Sequence, residues 1–249
     1  MLPIVEFKNV SLSYHSPLGE TLAVNNLNFS VDKGEFIAIV GPSGCGKSTI
    51  LSMLSGLLKP SNGDININSS SNIGYMLQKD HLLEWRTIKS NSLLGLEIQN
   101  KLTEENKKYV DELLDLYGLK DFKNSFPSEL SGGMRQRAAL IRTLAVRPEI
   151  LLLDEPFSAL DYQTRLYVSD EIGIIIRKEK KTAILVTHDI SEAVSLADRV
   201  IVLTQRPATV KSIHEIKLTI SQKTPMKSRE APEFKDYFNT IWKELDVRA

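Results

Sequence analysis

The sequence has one cysteine, Cys45, among its 249 residues, so no disulfide can form within the chain. Aromatic residues make up only 7% of it, and no apolar run approaches the ~20 residues that a membrane-spanning helix needs. Residues 1–6 contain neither a basic stretch nor a long apolar one, so we expect no secretory signal. A cytosolic location in a reducing compartment is therefore expected.

The chain also lacks net charge, because 31 Lys and Arg residues balance 31 Asp and Glu residues. No overall basic field is present to attract nucleic acid, and we expect no nucleic-acid partner. The hydrophobic share of 42% and the charged share of 25% are those of an ordinary globular domain. Disordered and fibrous classes are excluded.

Strand-like and helix-like stretches alternate along the chain, which predicts an α/β fold. Two N-terminal strands form a β-rich part, and the later strands form a parallel sheet with helical connections. The predicted strands are 4–14, 22–30, 36–40, 150–153, 182–187 and 199–204, and the predicted helices between the later strands are 161–179 and 190–197.

Two further helical regions are predicted. Residues of about 86–130 form a helical subdomain, in which Thr103 caps a helix that stops at Gly118. An amphipathic helix of about 231–245 packs back on the domain and has no assignable role. The whole chain, 1–249, is predicted to be a single domain.

A phosphate-binding loop is the strongest chemical signal in the sequence. It follows the predicted strand 36–40 and opens a helix, and it supplies backbone N–H groups and a lysine for phosphates and a hydroxyl for Mg²⁺. The alternative, a chance glycine-rich turn, is disfavoured by this strand and helix context. The loop residues are Gly41, Pro42, Ser43, Gly44, Cys45, Gly46, Lys47, Ser48 and Thr49. Cys45 beside Lys47 at a helix start is expected to favour the thiolate.

Two neighbouring carboxylates, Asp154 and Glu155, follow the aliphatic strand 150–153. A phosphate-binding loop needs an acidic partner for its metal, and Asp154 is predicted to serve the Mg²⁺ while Glu155 orients or deprotonates the attacking water. An Asp-Glu pair alone is more often a solvated turn, and the aliphatic strand before it favours the functional interpretation.

A second glycine turn, formed by Ser131, Gly132, Gly133 and Met134, opens a further helix. With the loop and the carboxylates, this turn resembles the signature motif of ATP-binding cassette (ABC) ATPases over residues of about 4–215. The other family motifs follow in order: Tyr14 for adenine stacking, Gln78, the segment Ser158-Ala159-Leu160-Asp161, and His188.

The resemblance implies an ABC-type nucleotide-binding domain of the P-loop NTPase class, with an N-terminal antiparallel β part and a helical subdomain. It implies ATP and Mg²⁺ as cofactors, with Ser48, Gln78 and Asp154 serving the metal. Lys47, Gln78, Glu155 and His188 are the expected catalytic residues. The signature residues are expected to bind the ATP held by a partner copy, which makes a homodimer or a paired cassette part of the mechanism.

Two less specific segments resemble the cassettes of nitrate, sulfonate and taurine importers. They are Leu82-Leu83-Glu84-Trp85-Arg86-Thr87 and the stretch from Asp198 to Pro207. Leu82, Leu83 and Trp85 either pack in the core or receive a membrane subunit. The implied protein is the ATP-hydrolysing subunit of an importer, peripheral on the cytoplasmic side of the membrane. It works with separate transmembrane permease subunits and an external solute-binding protein. An exporter cassette is the alternative, and an ABC ATPase not linked to transport is a more distant one.

Met134 stands where many family members have glutamine, which puts a polar contact to the partner's nucleotide in doubt. Leu77 replaces a common aromatic residue before Gln78, and Glu84 stands where the importer group usually has proline. Because 61 residues of this sequence follow His188, we expect no regulation by a large appended β-domain.

Overall fold

The structure is a computed structural model, and it describes residues 3–17, 19–67, 72–158, 160–220 and 224–245. These residues form two compact units. The first contains the described residues of Met1–Ser70 and Ile172–Ala249, and the second contains those of Ser71–Glu171. Within the described ranges, no helix is long and apolar enough to cross a membrane.

An antiparallel three-stranded sheet begins the first unit. Strands β1 (Val5–Ser16) and β2 (Gly19–Val31) pair with each other, and β4 (Asn62–Ile67) pairs with the other edge of β1. Alternate residues of β1 are buried at its start, and Phe7 stacks on Phe29 of β2 with ring centroids 4.3 Å apart. The antiparallel N-terminal part expected from the sequence is therefore present, with β4 as an additional strand.

The second sheet of the first unit is mainly parallel. Strand β3 (Phe36–Val40) lies between β7 (Thr182–Val186) and β8 (Arg199–Leu203), and β9 (Val210–Glu215) pairs antiparallel with β8. All five residues of β3 and all five of β7 are buried. Parallel strands covered on both faces read as continuous aliphatic runs, which is why the sequence located them accurately.

The helices of the first unit are short. Helix α1 (Lys47–Leu54) follows β3, α6 (Ile190–Leu196) follows β7, and α7 (Pro225–Glu230) and α8 (Phe234–Leu245) close the described part of the chain. Ile241 is the fully buried anchor of α8. The amphipathic helix predicted at 231–245 is thus present and begins at Phe234.

The second unit is built on two parallel strands, β5 (Ile73–Met76) and β6 (Ile150–Asp154), with Met76 opposite Leu153. Its helices are α2 (Ile88–Ile98), α3 (Glu104–Leu116) and α4 (Gly132–Ala145), and α5 (Tyr162–Lys178) begins in this unit and ends in the first. Thr103 caps α3 as predicted, and Gly118 follows it with a φ of 66°. Residues 86–130 are helical apart from their connections.

Candidate functional site

The loop between β3 and α1 is shaped by its glycines. Gly44 and Gly46 have φ values of 72° and 124°, where a side chain would be strained. A Cβ on Gly46 would also lie 3.2 Å from the carbonyl oxygen of Ala23. The buried strand and the glycine turn therefore place α1 with its first N–H groups facing the loop, an arrangement that favours anions.

Lys47 is held inside this loop. Its Nζ donates hydrogen bonds to the carbonyl oxygens of Gly41 at 2.8 Å and of Pro42 at 3.0 Å, and the side chain is buried. Ser43, Gly44 and Ser48 are exposed at the same helix start. The loop thus presents a fixed positive charge beside an exposed hydroxyl, as a phosphate and a bound cation require.

Cys45 differs from the expectation drawn from the sequence. Its side chain is only 1% exposed, and burial raises the pKa of the thiol above its ordinary value, outweighing the opposite effect of Lys47. The prediction of a favoured thiolate is wrong, because helix start and lysine were considered without the loss of solvent. Cys45 is a buried packing residue of the loop, where a Cβ on Gly41 would come within 2.9 Å of its sulfur.

Tyr14 lies near the carboxyl end of β1 and is 44% exposed, and its hydroxyl lies 3.1 Å from the Thr49 Oγ1 in α1. This contact joins the antiparallel sheet to the start of α1. An exposed tyrosine whose hydroxyl contacts the helix after the phosphate-binding loop is suited to stacking on a planar base.

His188 also lies at this edge of the first unit. Val186 at the end of β7 is in register with Ile39 of β3, so His188 follows its strand at the level where Gly41 follows the other. His188 is exposed. The Thr187 hydroxyl accepts from the Asp189 N–H at 3.0 Å and donates to the buried Glu192 carboxylate at 2.7 Å, which fixes the turn around the histidine.

Asp189 caps α6, with its Oδ1 accepting from the N–H groups of Ser191 and Glu192. The capping pattern Asp-x-x-Glu was readable in the sequence. The supporting role of Thr187 and Glu192 was missed, because it depends on a side-chain contact that this pattern does not specify.

In the second unit, three predicted residues meet at the carboxyl ends of β5 and β6. Gln78 Nε2 donates to Glu155 Oε2 at 3.1 Å. Asp154 is 4% exposed, and its Oδ2 accepts from the Tyr75 hydroxyl at 3.4 Å. Tyr75 was missed, since β5 is too short to give a sequence signal.

Glu155 has a backbone φ of 46°, which is uncommon for a residue with a side chain. The turn that follows it is closed by Ser158, whose N–H and hydroxyl both bond to the Glu155 carbonyl oxygen at 3.2 and 3.0 Å. Such strain collects at functional sites. Ala159 of the predicted motif lies outside the described residues, and Asp161 caps α5 by accepting from the Thr164 N–H at 3.1 Å.

Ser131 caps α4 as predicted, with its Oγ accepting from the Met134 N–H at 3.4 Å. Ser131 and Gly132 are exposed, so their polar groups face solvent at a helix start. Gly133 is closely packed, because a Cβ there would lie 3.1 Å from a methyl group of Leu160. An exposed helix start of this kind can receive an anion from another molecule.

A bound Mg²⁺ ion would take most of its ligands from the phosphates of the substrate and from water. Among the residues that the structure describes, no group of three or more His, Cys, Asp or Glu side chains could hold a metal ion. Mg²⁺ requires no such group, because it is typically held by one or two carboxylates together with phosphates and water. Asp154 and Gln78 of the second unit supply oxygen donors of this kind, and Ser48 supplies a hydroxyl in the first unit.

Comparisons with known proteins show which family the chain resembles. A family model described as ABC transporter matches residues 24–158. The chain is 46% identical to the uncharacterized ABC transporter ATP-binding protein YtlC of Bacillus subtilis, over 96% of this chain and 94% of that protein. It is 36% identical to the nitrate import ATP-binding protein NrtD of Synechocystis, over 95% of this chain and 93% of the relative.

A third relative is the aliphatic sulfonates import ATP-binding protein SsuB of Bacillus licheniformis, 38% identical over 92% of this chain and 89% of that protein. Among solved structures, a dimeric post-hydrolysis state of the ATP-binding cassette MJ0796, bound to ADP and Pi, matches with a TM-score of 0.77. Identity is 31%, and the match covers 86% of this chain and 99% of the other.

Proposed function

The chain belongs to the ABC transporter family and is an ATP-binding, ATP-hydrolysing cassette, and from that premise we propose that it powers import of a small solute. The proposed partners are a second cassette, separate transmembrane permease subunits and an external solute-binding protein, with the chain peripheral on the cytoplasmic side of the membrane. The observation that carries the proposal is the similarity over nearly the full length to nitrate and sulfonate import ATP-binding proteins.

In the first unit, we propose that Tyr14 stacks on adenine and that the loop Gly41–Thr49 encloses the phosphates. Lys47 is already directed into the loop by two carbonyl oxygens, so little ordering of its side chain is needed when it binds phosphate oxygens. His188, in a turn fixed by Thr187, is proposed to hydrogen-bond the γ-phosphate.

In the second unit, we propose that Glu155 orients or deprotonates the attacking water, while Asp154 and Gln78, with Ser48 of the loop, hold Mg²⁺. The bound ion would neutralise developing negative charge on the phosphates. Gln78 supports two tasks, because its Nε2 bonds to Glu155 and its amide oxygen is the group that can bind a cation.

Ser131, Gly132, Gly133 and Met134 are proposed to bind the γ-phosphate held by a partner cassette. The exposed start of α4 supports this, because its N–H groups favour an anion arriving from outside the chain. Asp161, at the start of α5, is proposed to act in the same contact between cassettes.

The permease is proposed to dock on the second unit near Trp85, which is 75% exposed. Leu82 is buried and Leu83 half-buried, so Leu82 is a packing residue and Trp85 is the member of the group free to meet a partner. A cleft of about 350 Å³ in the same unit is lined by Leu94, Ile98 and Val146, and Ile98 is largely exposed. An exposed tryptophan is typical of an anchor position in a protein interface.

The direction of transport is tested in the source cell by replacing the chain with the Glu155→Gln variant and measuring accumulation of labelled nitrate and of a labelled aliphatic sulfonate. Import predicts lower accumulation of one of them than in cells with the unaltered chain. Higher accumulation would show export. Unchanged accumulation of both would remove these two solutes from the proposal.

Docking is tested by co-purifying the chain with its membrane subunits. Trp85→Ser should lower recovery of the complex while leaving ATP binding by the isolated chain unchanged. Trp242→Ser is the matched control, since Trp242 is the only other tryptophan and is also exposed, on α8 of the first unit. If Trp85→Ser is recovered with the membrane subunits as well as Trp242→Ser and the unaltered chain, the docking surface lies elsewhere.

A further inference from the structure

Arg135 of α4 contacts two carboxylates of the segment that follows Gln78. Its Nε donates to Asp80 Oδ2 at 2.9 Å, and its Nη2 donates to Asp80 Oδ1 at 3.3 Å and to Glu84 Oε1 at 3.0 Å. Arg135 lies four residues beyond Ser131, one helical turn into α4. The rigid guanidinium fork therefore ties the start of α4 to residues 80–84 with directional bonds.

Arg142 holds the backbone of the same segment. Seven residues beyond Arg135, it lies on the same face of α4. Its Nη1 donates to the His81 carbonyl oxygen at 2.7 Å and its Nη2 to the Asp80 carbonyl oxygen at 2.6 Å. Residue His81 has a φ of 45°, so the segment bends at the point where the two arginines hold it.

The other side of the segment is held by Asn91 of α2, which is fully buried. Its Oδ1 accepts from the Leu83 N–H at 2.8 Å. Its Nδ2 donates to the carbonyl oxygens of Leu83 and Arg86 at 3.0 Å and of Thr87 at 3.1 Å. Residues 80–87 are thus bonded from two helices, and Trp85 lies within them.

The pKa shifts of Asp80 and Arg135 agree with a strong ion pair between them. Burial alone would raise the pKa of Asp80, but the hydrogen bonds from Arg135 and from the Leu82 N–H, together with the charges of Arg135 and Arg142, lower it below its ordinary value. The pKa of Arg135 is raised, chiefly by its bond to Asp80. Glu84 is more exposed than Asp80, so its pairing with Arg135 contributes less.

We infer that Arg135 is a positioning residue that fastens the Trp85-bearing segment 80–87 to α4, so that the segment and the signature residue Ser131 move as one body. The inference rests on the proposed function, since it assigns Ser131 to the partner's ATP and Trp85 to the permease. Arg135 itself is assigned no contact with the partner's ATP or with the permease. Its effect is to fix where Ser131 stands relative to the segment that begins after Gln78.

The test measures ATP-dependent dimerisation in the hydrolysis-blocking Glu155→Gln background, together with Mg-ATP binding by each variant at a temperature where all are folded. Arg135→Ala should raise the ATP concentration for half-maximal dimerisation roughly tenfold, and Glu84→Gln roughly threefold. The ATP concentration for Arg135→Lys should lie between those of the parent and of Arg135→Ala, because lysine keeps the positive charge but loses the guanidinium fork. Mg-ATP binding by the monomer should stay within about twofold, because Arg135 takes no part in the phosphate-binding loop.

Two comparisons separate positioning from a general loss of stability. Glu105→Gln breaks the ion pair with Arg147 at 3.2 Å, beyond the other end of α4, and should leave dimerisation unchanged. Arg135→Ala with Glu84→Gln should be no worse than Arg135→Ala alone, because both remove the same bond. A merely structural role would lower the unfolding temperature of Arg135→Ala without shifting its ATP requirement.

Dimerisation of Arg135→Ala at the ATP concentration of its parent would overturn the inference while the proposed function stands. If Arg135→Ala does not fold, unchanged dimerisation of both Arg135→Lys and Glu84→Gln would overturn it. A Glu155→Gln parent that binds ATP but stays monomeric would contradict the proposed shared site, and the inference would fall with it.

Discussion

The side-chain amide of Gln78 donates a hydrogen bond of 3.1 Å to the carboxylate of Glu155, across the ends of two neighbouring parallel strands. The bond places the glutamine next to the proposed catalytic base. A displacement of the following segment that moved the Gln78 side chain would therefore change its contact with Glu155. This contact gives a physical basis for making water activation depend on the segment that carries Trp85.

Glu155→Gln should keep Mg-ATP binding and lower phosphate release by a factor of roughly 10² to 10⁴, the usual contribution of a general base. The change is nearly isosteric, so the phosphate-binding loop is unaffected. Glu112→Gln is the matched control, because Glu112 is an exposed carboxylate of α3. Phosphate release by Glu155→Gln equal to that of the control would remove Glu155 from the catalytic role.

Tyr14→Ala should weaken ATP binding about tenfold, consistent with roughly 1–1.5 kcal/mol for an aromatic stack. Tyr14→Phe should bind ATP nearly as well as the unaltered chain, since it loses only the contact with Thr49. Inorganic triphosphate supplies the control ligand, because it has no base to stack. If calorimetric titration of Tyr14→Ala showed equal losses of affinity for ATP and for triphosphate, Tyr14 would act on the phosphate-binding loop instead of on the base.

Cys45 should react slowly with a thiol reagent in the folded chain and rapidly in denaturant, because it is buried. Burial raises the pKa of the thiol above its ordinary value, so the thiolate fraction at pH 8 is smaller than that of an ordinary thiol. The labelling rate should still increase with pH above 9. Fast labelling at pH 7, at the rate of the denatured chain, would contradict the buried placement.

The sequence predicted the long aliphatic strands well, because β3, β6, β7 and β8 are continuous apolar runs flanked by turn residues. It did not predict β4, β5 or β9. Strands β4 and β9 alternate exposed and half-buried residues at sheet edges, and β5 has only four residues. Such segments take their structure from pairing partners rather than from local preference.

For the candidate site, motif spacing selected the residues that we propose to act on phosphate, because that chemistry requires particular residue types in order. The motifs did not indicate three contacts that the structure shows. They are the bond from the Tyr75 hydroxyl to Asp154, the bond from the Asp189 N–H to the Thr187 hydroxyl, and the bonds from Arg135 to Asp80 and Glu84. These contacts join residues through tertiary packing or side-chain geometry that sequence spacing does not specify. Burial likewise reversed the expectation for the Cys45 thiol.

The central claim is that Lys47 of one copy and Ser131 of another act on the same ATP. Lys47→Ala and Ser131→Arg chains, each also carrying Glu155→Gln, should both fail to dimerise with ATP. Their mixture can form one complete site, from the intact loop of the Ser131→Arg chain and the intact signature turn of the Lys47→Ala chain.

The most direct measurement is therefore light scattering of the two variants, separately and mixed, at saturating Mg-ATP. Subunit exchange is first verified with chains that carry Glu155→Gln alone. The account predicts a dimer in the mixture and monomers in each separate sample. A mixture that stays monomeric, or either variant dimerising alone, would contradict the shared site.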